Sequence, residues 1–160
     1  MILRDAVPTD WPAIWPFLRD IVAAGETYTL PRDLGEDEAR GLWMGATRTV
    51  VATDDDGRVL GSAKFGPNQP GPGSHVANAS FMVDPACSGR GVGRALGGHV
   101  LEQARADGYR SMQFNAVVAT NTSAVALWTS LGFAVIATVP GGYRHARLGF
   151  VDLHVMFRTL

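Results

Sequence analysis

The chain has 160 residues, 46% of them hydrophobic and 18% charged, with a formal net charge of -1. That length suits one domain, and the balance supplies a real core, so a largely disordered chain is excluded. A strongly basic nucleic-acid binder is excluded as well, and no apolar run approaches the roughly 18 residues of a membrane span.

Ile2 to Val7 reads as a short strand. Thr9 or Asp10 can cap the helix that follows, with Pro12 in its first turn. Trp11, Ile14, Trp15, Leu18, Ile21 and Val22 recur at helical spacing, so this helix is amphipathic and its aromatic stripe reads as core or a dimer face. Pro16 interrupts the pattern and Gly25 ends it. A second helix fits Glu36 to Ala46. The period then changes: Thr47 to Thr53 reads as a buried strand. Asp54-Asp55-Asp56-Gly57 is a hairpin turn, and Val59 to Phe65 is the return strand. Gly66 to Gly73 is rich in breakers and reads as a loop. His75 to Val83 is a strand ended by Asp84-Pro85. Gly91 to Ala106 is a helix that Gly108 ends. Ser111 to Val118 is a strand, Thr122 to Leu131 a helix capped by Gly132, and Phe133 to Val139 a strand. Pro140-Gly141-Gly142 opens a polar loop through Leu148, and Phe150 to Phe157 alternates as a last strand. This order predicts a mixed α/β sheet with helices packed on it, in one domain over residues 1–160.

Cys87 is the single cysteine, so no internal disulfide and no cysteine-based zinc site is expected. The first residues, Met1-Ile2-Leu3-Arg4-Asp5, lack the basic and apolar regions of a secretory signal. The expectation is a soluble, cytoplasmic protein with no metal, no nucleic acid and no membrane among its partners.

The sharpest local signal is Ser88-Gly89-Arg90-Gly91-Val92-Gly93-Arg94, between a strand ending Val83-Asp84-Pro85 and a helix. Alternate glycines let a ligand approach the backbone amides, and the helix start adds unpaired N–H groups and partial positive charge. Together these suit a pyrophosphate, with Arg90 and Arg94 available to pair with phosphate oxygens. The Gly-Lys-Ser/Thr ending of a P-loop is missing. A G-x-G-x-x-G fingerprint fails too, because its third glycine would fall on Arg94 or Leu96.

These residues resemble the coenzyme A loop of the GNAT superfamily of N-acetyltransferases, with Ser88 where that family usually has Arg or Gln. A second motif of the family also matches, Asn121-Thr122-Ser123-Ala124-Val125-Ala126-Leu127-Trp128 followed by Leu131-Gly132-Phe133. Here Trp128 stands where the family often has the tyrosine that protonates the leaving thiolate. An indole N–H has no usable acidity, so Trp128 reads as a packing residue. The resemblance covers residues 1–158 and is strongest over 78–133. It implies a mixed, mostly antiparallel central sheet with flanking helices and two splayed central strands, His75–Val83 and Ser111–Val118. It also implies acetyl-CoA as co-substrate, held by Phe81, Val83, Ser88, Gly89, Arg90, Gly91, Val92, Gly93, Arg94 and Asn121, and a homodimer.

The strings Asn78-Ala79-Ser80-Phe81-Met82-Val83-Asp84-Pro85, Phe114-Asn115-Ala116-Val117-Val118-Ala119-Thr120-Asn121 and Thr138-Val139-Pro140-Gly141-Gly142 are similar to fungal acetyltransferases of L-azetidine-2-carboxylate and related proline analogues. That resemblance implies substrate contacts at Asn78, Asn115 and Ala116. It places Asn121 near the thioester sulfur and the Phe81 N–H near the acetyl carbonyl. A backbone amide there acts as an oxyanion donor, and Asn121 would stabilise the thiolate without supplying a proton. Each residue has a plainer reading: Asn78 can satisfy buried backbone groups, Asn115 can act through its backbone, and Asn121 can cap a helix. The base is open between His75, His154 and water, with Asp84 ordering the turn. Arg144, His145 and Arg147 form a basic loop suited to a carboxylate, and nothing near Cys87 marks a nucleophile.

The expected function is therefore acetyl transfer from acetyl-CoA to a small amine by direct attack in a ternary complex. A cyclic secondary amino acid such as azetidine-2-carboxylate or a hydroxyproline is the favoured acceptor. The alternatives are an acetyltransferase for primary amines (amino acid, antibiotic or protein N-terminus) and a non-catalytic acyl-CoA sensor.

Overall fold

The computed structural model describes residues 1–160. Strands β1 (Ile2–Asp5), β2 (Arg48–Thr53), β3 (Val59–Pro67), β4 (Val76–Val83), β5 (Ser111–Val118), β6 (Ala134–His145) and β7 (Gly149–Thr159) form one sheet in the order β1-β2-β3-β4-β5-β7-β6. Neighbours are antiparallel except β4 and β5, which run parallel. The helices are α1 (Trp11–Ala24), α2 (Glu36–Met44), α3 (Val92–Ala106) and α4 (Thr122–Ser130). None is long and apolar enough to cross a membrane.

Helices cover both faces of the sheet, so its inner strands are buried on both sides and read as continuous apolar runs. In β2, Val50 and Ala52 pack with Val92, Leu96 and Val100 of α3. Val51, one residue out of phase, packs with Trp11, Ile14 and Leu18 of α1. Trp11 and Leu18 are thus core residues. Pro16 lies inside α1, where a proline costs about 3 kcal/mol. Burial of Ile14, Phe17, Leu18 and Val22, at about 1.5–3 kcal/mol each, outweighs that cost. Gly25, at φ 65°, then ends the helix in the left-handed conformation.

Two segments differ from the sequence-based expectation. The first strand stops at Asp5, because the Val7 N–H turns away to donate to the Asp10 carboxylate at 2.8 Å. The larger difference is the expected loop at 140–148. β6 continues to His145, and only residues 146–148 connect it to β7. Val139 pairs with Leu153 and Tyr143 with Val151, so Pro140, Gly141 and Gly142 bulge out opposite Asp152. An edge strand tolerates a proline, and Gly141 supplies φ 60° and donates its N–H to the Asp152 carboxylate at 2.9 Å. The β6–β7 hairpin leaves Ile136 and Phe150 exposed at 56% and 76%.

Asp10 also takes both Nη atoms of Arg4 at 2.7 Å, which fastens the start of α1 to β1. The Arg4 hydrogen bonds hold its carboxyl below the usual carboxylate range. A depressed folded-state pKa stabilises above the ordinary carboxylate pKa, and that stabilisation is lost as pH falls through the folded value. Asp10→Asn should therefore cost about 1–2 kcal/mol at pH 7. In urea melts at pH 7 and at successively lower pH, the gap from wild type should narrow once the pH falls below the ordinary carboxylate range.

Candidate active site

β4 and β5 pair at only two positions, Val76 with Ser111 and Ala77 with Met112. Asn78 closes that short ladder by donating its Nδ2 to the Gln113 carbonyl at 2.8 Å. Beyond it a wedge of aromatic rings stands behind the parting strands. Trp128 of α4 lies 4.6 Å from Phe81 of β4 and 4.9 Å from Phe114 of β5, centroid to centroid. Phe133 stacks on Phe114 at 4.3 Å. Trp128 is buried and packs, as its side chain predicts.

The parting leaves backbone groups without a strand partner. β4 bonds β3 through its even-numbered residues, seen where Asp84 N donates to Leu60 O and Asn68 N to Val76 O. Ala79, Phe81 and Val83 therefore aim their N–H and C=O groups at the gap. On the other side, Phe114 pairs with Met156 and Val117 with His154, so Asn115 and Ala116 together oppose Val155. Such a bulge leaves one more backbone unit outside the ladder.

A cavity of about 280 Å³ occupies the gap and brings together Asn78, Phe81, Asn115, Ala116 and Asn121. Its other polar walls are hydroxyls, Thr27, Tyr28, Thr29 and Ser80, and Tyr28 is its only titratable side chain. The Asn115 carboxamide is engaged at both ends: it donates to Asn68 Oδ1 at 2.7 Å and accepts from Gln113 Nε2 at 2.9 Å. Asn121 caps α4, its Oδ1 accepting from Ala124 N at 3.3 Å and from Ser123 Oγ at 3.1 Å. Those bonds fix which end of the carboxamide is oxygen and leave Nδ2 as the donor end. The Phe81 N–H donates to the Tyr28 hydroxyl at 3.1 Å, and the same hydroxyl donates to the Phe81 carbonyl at 2.6 Å. Burial pushes that phenol well above its ordinary range.

A second cavity, about 500 Å³, is lined by Val83, Ser88, Gly89, Gly91, Val92 and Gly93, and shares Thr27, Asn121 and Ala124 with the first. Gly89 and Gly91 sit at φ 75° and 77°, and a Cβ built on either meets nothing within 4 Å. Glycine is thus required there by backbone conformation, and the space beside it is open to a ligand. Gly91 precedes α3 without a side-chain cap, so the first N–H groups of that helix are unclaimed. The loop fits a pyrophosphate by this geometry. Arg90 and Arg94 do not line the cavity: Arg90 Nη1 lies 3.9 Å from Cys87 Sγ, and Arg94 Nη2 donates to Ser130 Oγ at 2.8 Å.

The candidate bases stand apart from both cavities. His75 Nδ1 lies 3.1 Å from Pro72 O, and His154 Nδ1 lies 2.9 Å from Thr138 Oγ1. Asp84 caps the turn through Ala86 N and pairs with Arg58 at 2.9 Å. The basic trio does not converge on one anion. His145 is buried and accepts from the N–H groups of Arg147 and Leu148, while Arg147 pairs with Glu26 at 2.8 Å.

Two side chains at the site escape the sequence reading. Tyr28 lies in a polar stretch between Gly25 and Pro31 that carries no periodicity. Lys64 carried a signal, as the only lysine of the chain, set in an apolar strand. It borders a recess that it shares with Asn78, and a smaller one that it shares with Tyr28, Thr29 and Ser80. Its Nζ donates to the Leu42 carbonyl at 2.9 Å and lies 5.8 Å from the Trp43 ring. Burial lowers its pKa.

Comparison with known proteins agrees with this architecture. The family model described as the acetyltransferase (GNAT) family matches residues 11–133. A solved structure, a GCN5-related N-acetyltransferase from Kribbella flavida, superposes with a TM-score of 0.96 at 57% identity, over 99% of this chain and 97% of that one. The L-methionine sulfoximine/L-methionine sulfone acetyltransferase of Pseudomonas paraeruginosa is 31% identical over 86% of this chain and 83% of its own length. N-acetyltransferase aca1 of Schizosaccharomyces pombe is 35% identical over 61% of this chain, a match spanning 47% of the yeast protein. The chain belongs to the GNAT family of acetyltransferases.

Proposed function

We propose that this protein moves an acetyl group from acetyl-CoA to the amine of a small amino acid or amino-acid analogue, by direct attack in a ternary complex. The observation that carries this reading is the pair of connected cavities at the parting of β4 and β5. Ser88, Gly89, Gly91, Val92 and Gly93 would hold the pyrophosphate, and the gap-facing backbone of β4 would take the thiol-bearing arm at Val83 and, once Tyr28 is displaced from it, at Phe81. When bound, the thioester supplies the activated acyl group. Asn121 stands where the two cavities join, and its Nδ2 would stabilise charge on the departing sulfur.

The acceptor would enter the first cavity, which is small by the standard of ligand sites, about 300–1,000 Å³. Asn78 spends one amide hydrogen on Gln113 and keeps its Oδ1 to accept from an amine N–H. An amino acid also brings a carboxylate, and Lys64, which borders the neighbouring recess at Asn78, would be the cation that receives it. Its ammonium has three hydrogens, of which Leu42 takes one. Within this class a cyclic secondary amino acid, such as azetidine-2-carboxylate or a hydroxyproline, is the favoured acceptor on the resemblance of the Asn78, Phe114–Asn121 and Thr138–Gly142 strings. A primary amino-acid analogue is the second reading, and the relative named for L-methionine sulfoximine supports it.

Thiol release from acetyl-CoA tests both. Azetidine-2-carboxylate, cis-4-hydroxyproline and L-methionine sulfoximine should be run beside the same amines without their carboxylates. Turnover is expected only where the carboxylate is present, and the cyclic or primary acceptor that reacts faster decides between the two readings. Lys64→Met should raise the acceptor KM about 10- to 100-fold, the worth of a hydrogen bond to a charged group, and leave the KM of acetyl-CoA unchanged. Equal turnover without the carboxylate removes the amino-acid reading. Acetyl-CoA binding with no thiol release from any acceptor favours the sensor.

Asn121 has two separable roles. Asn121→Ser keeps a capping oxygen and loses the amide donor, so the melting temperature should hold while kcat falls about 10²-fold. Asn121→Ala should lose the same activity and about 1 kcal/mol of stability besides. A serine variant with full kcat reduces Asn121 to a helix cap.

A further inference from the structure

We propose that Trp128 sets the length of the acyl group, so that this protein takes acetyl-CoA and rejects thioesters longer by even one methylene. The proposal rests on the acetyl-transfer reading above and adds which acyl chain the same site admits.

The two faces of β4 have opposite character at the gap. Successive side chains of a strand point to opposite faces. Asn78 and Ser80 line the cavity from the face on which Met82 joins the core beneath α1. Ala79 and Phe81 belong to the other face, where they pack in the core with Val92 and Leu96 of α3. The polar side chains suited to an amino acid therefore stand on one face, and the aromatic rings on the other. A thioester held along the gap-facing backbone of β4 would have its acyl tail between them. A hydrocarbon tail gains free energy only by leaving water for apolar surface, so it would turn toward Phe81, Phe114, Ala124 and Trp128.

That apolar end of the cavity has no slack. The Phe81 and Phe114 centroids stand 5.9 Å apart, edge to face, and the indole of Trp128 closes the triangle at 4.6 and 4.9 Å. Phe133 stacks behind Phe114 at 4.3 Å. Behind Trp128 stands α3 itself. A Cβ built on Gly97 would meet Trp128 Cζ3 at 3.2 Å and Leu131 Cδ1 at 2.7 Å. Gly97 is buried inside α3, where glycine weakens a helix, and the outer ring of the indole accounts for its presence. The indole thus cannot retreat toward α3, nor Phe114 toward Phe133. Added methylenes in a close-packed wall force strain on their neighbours. The cavity of about 280 Å³ must also hold the acceptor, so space given to a longer tail is taken from the amine.

The contrary arrangement has the tail lying toward the polar face or the cavity mouth, and it predicts indifference to chain length. The test is a series of acetyl-, propionyl- and butyryl-CoA. It is read as kcat/KM with the fastest of the acceptors named above, and without acceptor as dissociation constants beside that of free coenzyme A. Wild type should favour acetyl-CoA over propionyl-CoA by about 10- to 200-fold, the worth of one methylene in an apolar pocket, with butyryl-CoA lower still. Trp128→Leu shortens the wall and keeps it apolar, and the propionyl-to-acetyl ratio should rise at least about 10-fold. Trp128→Phe keeps one ring and should move the ratio the same way by less. The dissociation constants should shift in the same order, while free coenzyme A, which has no tail, should bind all three proteins alike. A variant that merely loosens the fold lowers turnover of every thioester together and leaves their ratio alone. Ratios unmoved in both variants, in turnover and in binding, therefore overturn the proposal. Wild-type use of butyryl-CoA equal to that of acetyl-CoA overturns it as well, and leaves the acetyl-transfer reading standing. Failure of the wild-type protein to bind acetyl-CoA overturns that reading, and this proposal with it.

Discussion

The constraint on which the site depends is the two-residue ladder between β4 and β5. Parallel strands normally continue their hydrogen bonds, and backbone groups left inside a protein without partners cost about 1–3 kcal/mol each. Here Phe81, Phe114 and Trp128 fill the space behind the gap, so the strands cannot rejoin without expelling a packed aromatic cluster. Side chains then meet part of the backbone demand. Asn78 serves the Gln113 carbonyl, and Tyr28 serves both groups of Phe81. What remains is a strip of polar backbone beside an open cavity, which is what an amide-bearing arm can use.

This view gives Trp128 a definite place. A tyrosine at that position would bring an ionisable hydroxyl to the wedge. The indole brings more packing surface and no acid. The hydroxyl at this gap comes instead from the opposite face of the sheet, on a loop that the β6–β7 hairpin fastens. The bulge at Pro140–Gly142 belongs to the same device. It re-phases β6 so that Tyr143 is buried and reaches the Tyr28 carbonyl, whereas an unbroken ladder would shift its register.

Most of the elements were legible because they rest on local rules. Apolar spacing marked α1 and α3, and Asp-Gly marked the β2–β3 turn. The alternate glycines at 89 and 91 marked the strand-to-helix corner, where both adopt positive φ. The 140–148 segment was misread because Pro-Gly-Gly is a breaker in isolation, and only a sheet edge makes it tolerable within a strand. Asn78, Phe81, Asn115, Ala116 and Asn121 came from a family pattern, and the fold gathers them at one cavity. Their hydrogen bonds could not be read in advance. Asn115 has its carboxamide taken by Asn68, 47 residues away, and the Phe81 N–H is taken by Tyr28, 53 residues away. Arg90 and Arg94 show the same limit: their charge suits a phosphate, but neighbours at Cys87 and Ser130 direct the guanidinium groups elsewhere.

The walls of the first cavity also bear on how protons move. They carry amides and hydroxyls, and the one titratable group among them is a phenol that burial holds protonated. Neither a carboxylate nor an imidazole is placed there to take a proton from an incoming ammonium. An uncharged wall also disfavours the charged form of an amine as it leaves water. Both effects act in one direction: on the proposed reading the acceptor would shed its proton on entry, and its own basicity would set how much of it can react. The protein's part on that reading is a fixed donor where negative charge gathers on sulfur, the Asn121 amide at the head of α4. A fixed donor needs no matched pKa, only position, and position is what the capped α4 provides.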